Sequence, residues 1–123
     1  MELEEERLEI KHTSAVIYVK FRDGSKAYLK YEIKDGRMYL LETYTPPQHR
    51  GRGVAARLVE YAIKMAEERR LEIVPICSYA ISYFIKHEEA RRLLAGEYRS
   101  MSKEQLEELF KRRLEEERAK GEG

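Results

Sequence analysis

The apolar positions change period along the chain. Between Ser14 and Thr45 the runs SAVIYVKF, KAYLKYEI and RMYLLETYT are rich in β-branched and aromatic residues and partly alternate with polar ones. That period of two is the mark of half-buried strands. Asp23-Gly24 and Asp35-Gly36 separate the runs, and Asp-Gly is a strong hairpin signal because it accommodates positive φ. The pattern predicts three antiparallel strands near residues 14–22, 26–34 and 37–45. Pro46 and Pro47 end the third, since proline cannot donate to a ladder.

From about Gly53 to Arg69 the period becomes helical. Val54, Ala55, Leu58, Val59, Ala62, Met65 and Ala66 share one face, and charged residues fill the other. LEIVPIC then reads as a short buried fourth strand, parallel to the third because a helix separates them. SYAISYFIKHEEARRLLAG reads as a second helix stopping at Gly96. Ser102 and Gln105 form a capping box, with Met101 and Leu106 as a hydrophobic staple, for a last helix over about 103–116. Its apolar stripe is Leu106, Leu109, Phe110 and Leu114, and the polar tail beyond Glu116 is expected to fray. The expectation is one α/β (α+β) domain over 1–123, with its core at about 14–95 and no internal repeat.

Composition narrows the function classes. There are 24 basic and 23 acidic side chains, for a net charge of +1, which argues against a general nucleic-acid binder but leaves room for a local basic site. One cysteine permits no internal disulfide and fits a reducing, cytoplasmic setting. The acidic start MELEEERLEIKH has no signal-peptide core, and no apolar run approaches a membrane span. Asparagine is absent and glutamine occurs twice beside abundant Lys, Arg and Glu, a thermophile-like bias. His12 and His49 stand alone, and no cluster has metal-ligand spacing.

The stretch TPPQHRGRGVA carries the main chemical signal. The first turn of a helix leaves its N–H groups unpaired at the positive end of the dipole. Gly51 and Gly53 leave that main chain open, and Arg50 and Arg52 add charge with a fork suited to phosphate oxygens. An anion site for phosphate or diphosphate is the natural reading. The bland alternative is a tight turn with solvated arginines. Neither a Walker loop nor a Rossmann fingerprint fits.

RGRGVA, Arg50 to Ala55, matches the Arg/Gln-x-x-Gly-x-Gly/Ala signature of the GNAT superfamily of N-acetyltransferases. A second register beginning at Gln48 also fits the letters. The segment TYTPPQHRGRGVAARLVEYA, followed by VPICSYAISYFIKHEE, further resembles a small subgroup of single-domain, minimal members with a Pro-x-Cys-Ser motif. This likeness spans about residues 15–94. It implies a mixed sheet, with antiparallel hairpins followed by a β-α-β unit whose strands splay apart. It also implies acetyl-coenzyme A, or coenzyme A, as cofactor. The diphosphate would lie on the amides of Arg50, Gly51, Arg52, Gly53, Val54 and Ala55. The pantetheine arm would lie along Thr43, Tyr44 and Thr45. Lys86 and His87, which match the subgroup's Lys-His pair, would reach an adenosine phosphate.

Three residues are candidates for the chemistry of acyl transfer. Cys77 begins a helix whose N-terminus can lower a thiol pKa; the resemblance makes it an acyl acceptor or part of the thioester wall, and the alternative is a small buried hydrophobe. Glu42 stands where the subgroup carries histidine and could accept a proton. Tyr83 lies one residue short of the register of the family's tyrosine acid, and core packing is its other reading. The expected function is transfer of acetyl from acetyl-coenzyme A to an amine acceptor, small molecule or protein. The alternatives are a coenzyme A-binding module without transferase activity and, less favoured, a contact with RNA phosphates. No membrane partner is expected, and neither the acceptor nor the oligomeric state can be read from the residues.

Overall fold

In the computed structural model, which describes residues 7–122, five strands form one sheet in the order β1-β2-β3-β4-β5. They are β1 (Lys11–His12), β2 (Val16–Lys20), β3 (Lys26–Lys34), β4 (Arg37–Tyr44) and β5 (Glu72–Pro75). The first four run antiparallel, and β4 and β5 are parallel. Helix α1 (Val54–Arg69) joins β4 to β5. Then come α2 (Ser78–Lys86), a 3-10 segment Glu88–Leu93, the short α3 (Gly96–Arg99) and α4 (Lys103–Glu122). The three predicted strands, the α1 crossover and the parallel fourth run all stand where the periodicity placed them. The two-residue edge strand β1 is additional.

One sheet face makes the core. Ile17, Val19, Ala27, Leu29, Tyr31, Met38 and Leu40 alternate inward along β2–β4. They meet Val54, Leu58, Val59, Ala62, Met65 and Ala66 of α1. Burying such a set is the main source of stability, at about 25 cal/mol per Å² of apolar surface removed from water.

Two departures from the sequence expectation bear on the site. The second helix ends at His87 instead of running to Gly96. Arg91 explains the break, since its guanidinium donates to the carbonyls of Phe84 (2.7 Å) and Ile85 (2.8 Å), satisfying the helix end. The last helix does not fray beyond Glu116 but continues to Glu122. Its polar side chains are tied down: Arg113 donates to the carbonyl of Ile76, and Glu117 accepts from Ser78. The capping box forms as expected. Ser102 N–H donates to Gln105 Oε1 (2.8 Å), and Gln105 N–H donates to Ser102 Oγ (3.1 Å).

The feature that positions the site is a bulge. Lys30 pairs with Glu42 and Tyr31 with Leu40, which leaves Leu41 as an extra residue in β4. The β4–β5 pairing stops at the same place, with Leu40 opposite Pro75. Pro75 has no N–H to continue the ladder. The amides of Ile76 (3.0 Å) and Cys77 (3.1 Å) both turn to the carbonyl of Leu40. Beyond this point β4 stays paired with β3 through Tyr44, while its β5-facing backbone has no strand partner among the described residues. The two parallel strands therefore form a fork.

Candidate functional site

A cleft of about 450 Å³ occupies the mouth of this fork. Its walls are Thr43, Tyr44 and Thr45 of the unpaired β4 end, His49 to Gly51, the first turn of α1, and Tyr79 of α2. A 3-10 turn, Pro47–His49, leads into the loop, and Gly51 (φ 80°) and Gly53 (φ 77°) both take the left-handed conformation. A Cβ at either glycine would meet nothing within 4 Å. Backbone conformation, not crowding, therefore requires glycine here, and the space above both residues is open to a ligand.

Gly53 caps α1 without a side chain to satisfy the first-turn amides, and no acidic residue lies in that turn. The first helix bond runs from Arg57 N–H to Gly53 O (3.2 Å). The N–H groups of Gly53 to Ala56 thus have no partner within the helix, at the positive end of a 16-residue dipole. This is an anion-binding mouth built from main chain.

The two arginines divide their roles. Arg50 lines the cleft, and its Nε donates to the carbonyl of Thr45 (2.9 Å), closing the loop on itself. Arg52 turns toward His49, with Nη2 3.3 Å from Nδ1, and is not among the cleft-lining residues. The sequence had pointed both guanidinium groups at the anion.

Cys77 is 5% exposed and caps α2. Its Sγ lies 3.9 Å from Thr43 Oγ1. Burial pushes the thiol up, and the Glu117 carboxylate adds to this; the amides of Ala80 and Tyr79 and the Thr43 hydroxyl pull the other way but do not prevail. A helix N-terminus alone suggested a lowered thiol, so burial reverses that expectation. Thr43 is common to two cavities. A second one, of about 500 Å³, is lined by Leu41, Glu42, Thr43, Cys77, Ser78 and the end of α4. The fork is therefore open on both sides of Thr43, with Cys77 on the wall of the second cavity.

Residues 16–93, more than half of the chain, match the family model described as GCN5-related N-acetyl-transferase. The chain belongs to the GCN5-related N-acetyltransferase family. Membership carries an acetyltransferase type of function and agrees with the mixed, forked sheet. The α4 helix lies outside the matched residues, so the family core here carries an extra wall.

The remaining candidates fall in different places. Glu42 is carried on the sheet face opposite Thr43. Its side chain is 53% exposed, 3.7 Å from Lys30 Nζ, and accepts from the Tyr28 hydroxyl at 3.2 Å. Tyr83 is buried, with its ring stacked on His87 at 3.9 Å, and burial pushes its phenol up. Tyr79, not Tyr83, is the tyrosine on the cleft wall. Lys86 lies at the far end of α2, in a groove against α4, and His87 Nδ1 is 2.9 Å from the carbonyl of Tyr83. Neither joins the cleft. The sequence reading missed His49, which is 7% exposed and lines the cleft. The single signal available for it was its place between Pro-Pro and the first glycine.

Proposed function

We propose that the chain binds acetyl-coenzyme A in the fork and transfers the acetyl group to an amine, as a cytoplasmic enzyme. The observation that carries this reading is the cleft itself, with unpaired α1 amides and two left-handed glycines at one end and Thr43 at the other. The diphosphate sits on the amides of Gly51 to Ala55, with Arg50 beside it. The pantetheine arm takes the place of the missing strand partner along Thr43 to Thr45, and the thioester ends near Thr43 and Cys77. The amine enters through the second cavity, and Glu42, which lines its rim with the side chain turned toward Lys30 and Tyr28, accepts the proton through water.

The transfer balances in one displacement. The neutral amine nitrogen attacks the thioester carbonyl carbon, and a C–N bond forms as the C–S bond breaks. The nitrogen loses a proton, and the departing thiolate gains one. Cys77, with its pKa raised by burial, remains a thiol at neutral pH. That suits it to face the thioester and offer a proton, not to attack as a thiolate. Tyr83, stacked in the core, has no step in this scheme.

The test is titration of coenzyme A against wild type and Gly53→Glu. A carboxylate at this cap would repel the diphosphate, and affinity should fall at least tenfold. Unchanged affinity would remove the site. A second reading, coenzyme binding without transfer, is favoured by the outward pairing of Glu42 with Lys30 and the locked ring of Tyr83. Binding with no turnover across a broad amine panel would select it.

A further inference from the structure

The loop at the mouth of α1 is held from behind by a residue far away in sequence. The β2–β3 turn, Phe21 to Ser25, docks against Gln48 and His49. Asp23 Oδ2 accepts from Gln48 Nε2 (3.2 Å) and lies 2.9 Å from His49 Nε2. Its Oδ1 accepts from the backbone N–H (2.9 Å) and hydroxyl (2.6 Å) of Ser25. The His49 ring lies flat on Phe21, with centroids 3.6 Å apart and planes 11° apart. The imidazole is thereby fixed in plane and in rotation.

Its protonation follows from its neighbours. A guanidinium has donors and no acceptor. The Arg52 Nη2 beside Nδ1, at 3.3 Å, therefore requires a lone pair on Nδ1. The single ring proton must be on Nε2, where Asp23 accepts it. Four donors converge on the Asp23 carboxylate, which matches the acceptor capacity of its ionised form. Arg52 stands between two residues of left-handed backbone, Gly51 and Gly53. Fixing its side chain fixes the turn that aims the flanking amides into the cleft.

We propose that Asp23, His49 and Arg52 form a positioning relay that pre-orders the diphosphate loop, with His49 acting as a neutral, Nε2-protonated imidazole. The inference rests on the coenzyme reading above and assigns a role that neither the glycine-arginine signature nor the cleft walls assign. Two of the three side chains work without touching the ligand. Asp23 is anchored in the opposite hairpin, and Arg52 faces His49. Pre-ordering matters because a loop that must be organised at the moment of binding subtracts that ordering cost from affinity. The relay acts on the diphosphate end of the ligand and leaves the pantetheine end, against β4, untouched.

The experiment compares coenzyme A with pantetheine, which lacks the diphosphate, on wild type, Asp23→Ala, Arg52→Ala and the double variant. Asp23→Ala and Arg52→Ala should each weaken coenzyme A about tenfold and pantetheine less than twofold. The double variant should be little worse than either, since both cut one relay. Equal losses for both ligands, or additive losses, would assign these residues a merely structural role and overturn the proposal. In the wild type, long-range proton–nitrogen NMR should show His49 protonated on Nε2 and bare on Nδ1. The opposite tautomer would overturn it even where the variants fail to fold. Wild type that binds coenzyme A while Asp23→Ala binds it equally well sinks the relay alone. Wild type that binds none sinks the coenzyme reading and the relay's role with it.

Discussion

Glu117, near the end of the last helix, accepts hydrogen bonds from both the amide (2.8 Å) and the hydroxyl (2.6 Å) of Ser78, the first residue of α2. A side chain from one helix thus supplies the cap that Cys77 does not provide for another. It also sets a carboxylate beside the thiol and helps raise its pKa. Glu117→Gln should therefore have two effects. Stability should fall by about 1 kcal/mol, the usual scale of a lost cap, read by urea unfolding. The Cys77 thiol should ionise at lower pH, read as earlier onset of iodoacetamide alkylation on a pH series. An unchanged alkylation profile would show that the carboxylate does not act on the thiol.

Gly51 and Gly36 both hold positive φ, at 80° and 78°, and neither has a neighbour that a Cβ would touch. Alanine at either position strains the backbone alone, at about 1 kcal/mol. The two should separate by function. Gly51 lies on the cleft wall, so Gly51→Ala should weaken coenzyme A several-fold as well as lower the melting temperature. Gly36→Ala, in the β3–β4 turn, should lower the melting temperature alone. Equal affinities for the two variants would mean that the loop conformation is not what the ligand reads.

Asp23 also predicts a pH dependence. The hydroxyl of Ser25 first, then its amide, Gln48 and His49, hold the carboxyl well below the usual carboxylate range in the folded chain. A depressed acid stabilises the fold above its unfolded pKa, about 3.9 for aspartate, and loses that contribution as pH falls from there toward the folded value. The melting-temperature gap between wild type and Asp23→Ala should be full at pH 6 and should shrink on acidification below about pH 4. A gap that stays constant down to pH 2.5 would contradict the sign of the shift.

Much of the framework could be read from pattern, and the reasons for the rest are physical. Alternation in VIYVK and KAYLKYEI placed the strands, because one face is buried and the other is not. The helix break at His87 was hidden because Arg91, which satisfies the carbonyls of Phe84 and Ile85, reads as an ordinary charged helix residue. The last turns of α4 looked free because polar residues such as Arg113 and Glu117 signal solvent until their partners, Ile76 and Ser78, are brought against them. At the site, the glycines announced the loop, but its brace did not announce itself. Asp23 is 26 positions from His49, and its Asp-Gly pair was fully explained as a turn. The bulge was invisible because Leu41 extends the apolar run of β4 without a glycine to mark it.

That bulge carries the last prediction. Side chains alternate along a strand, so an extra residue moves everything after it to the other face. The bulge at Leu41 absorbs that shift, so Thr43 stays opposite Leu29 on the inner face beside Cys77 and Glu42 stays opposite Lys30, outward against Lys30 and Tyr28. Deleting Leu41 should let β3 and β4 pair without interruption. Glu42 would then follow Leu40 directly and stay opposite Lys30, and Thr43 would stay opposite Leu29, so both side chains keep their faces while β4 loses its bend. The core residues Met38 and Leu40 precede the deletion and keep their register, so the fold should persist with a lowered melting temperature. Coenzyme A affinity should drop more than tenfold, because the bulge that turns the end of β4 away from β5 is gone. Amide hydrogen exchange gives the structural check: protection should extend across the former bulge. Retained affinity with extended protection would mean that the bulge is not what opens the fork, and would leave Pro75 as its cause.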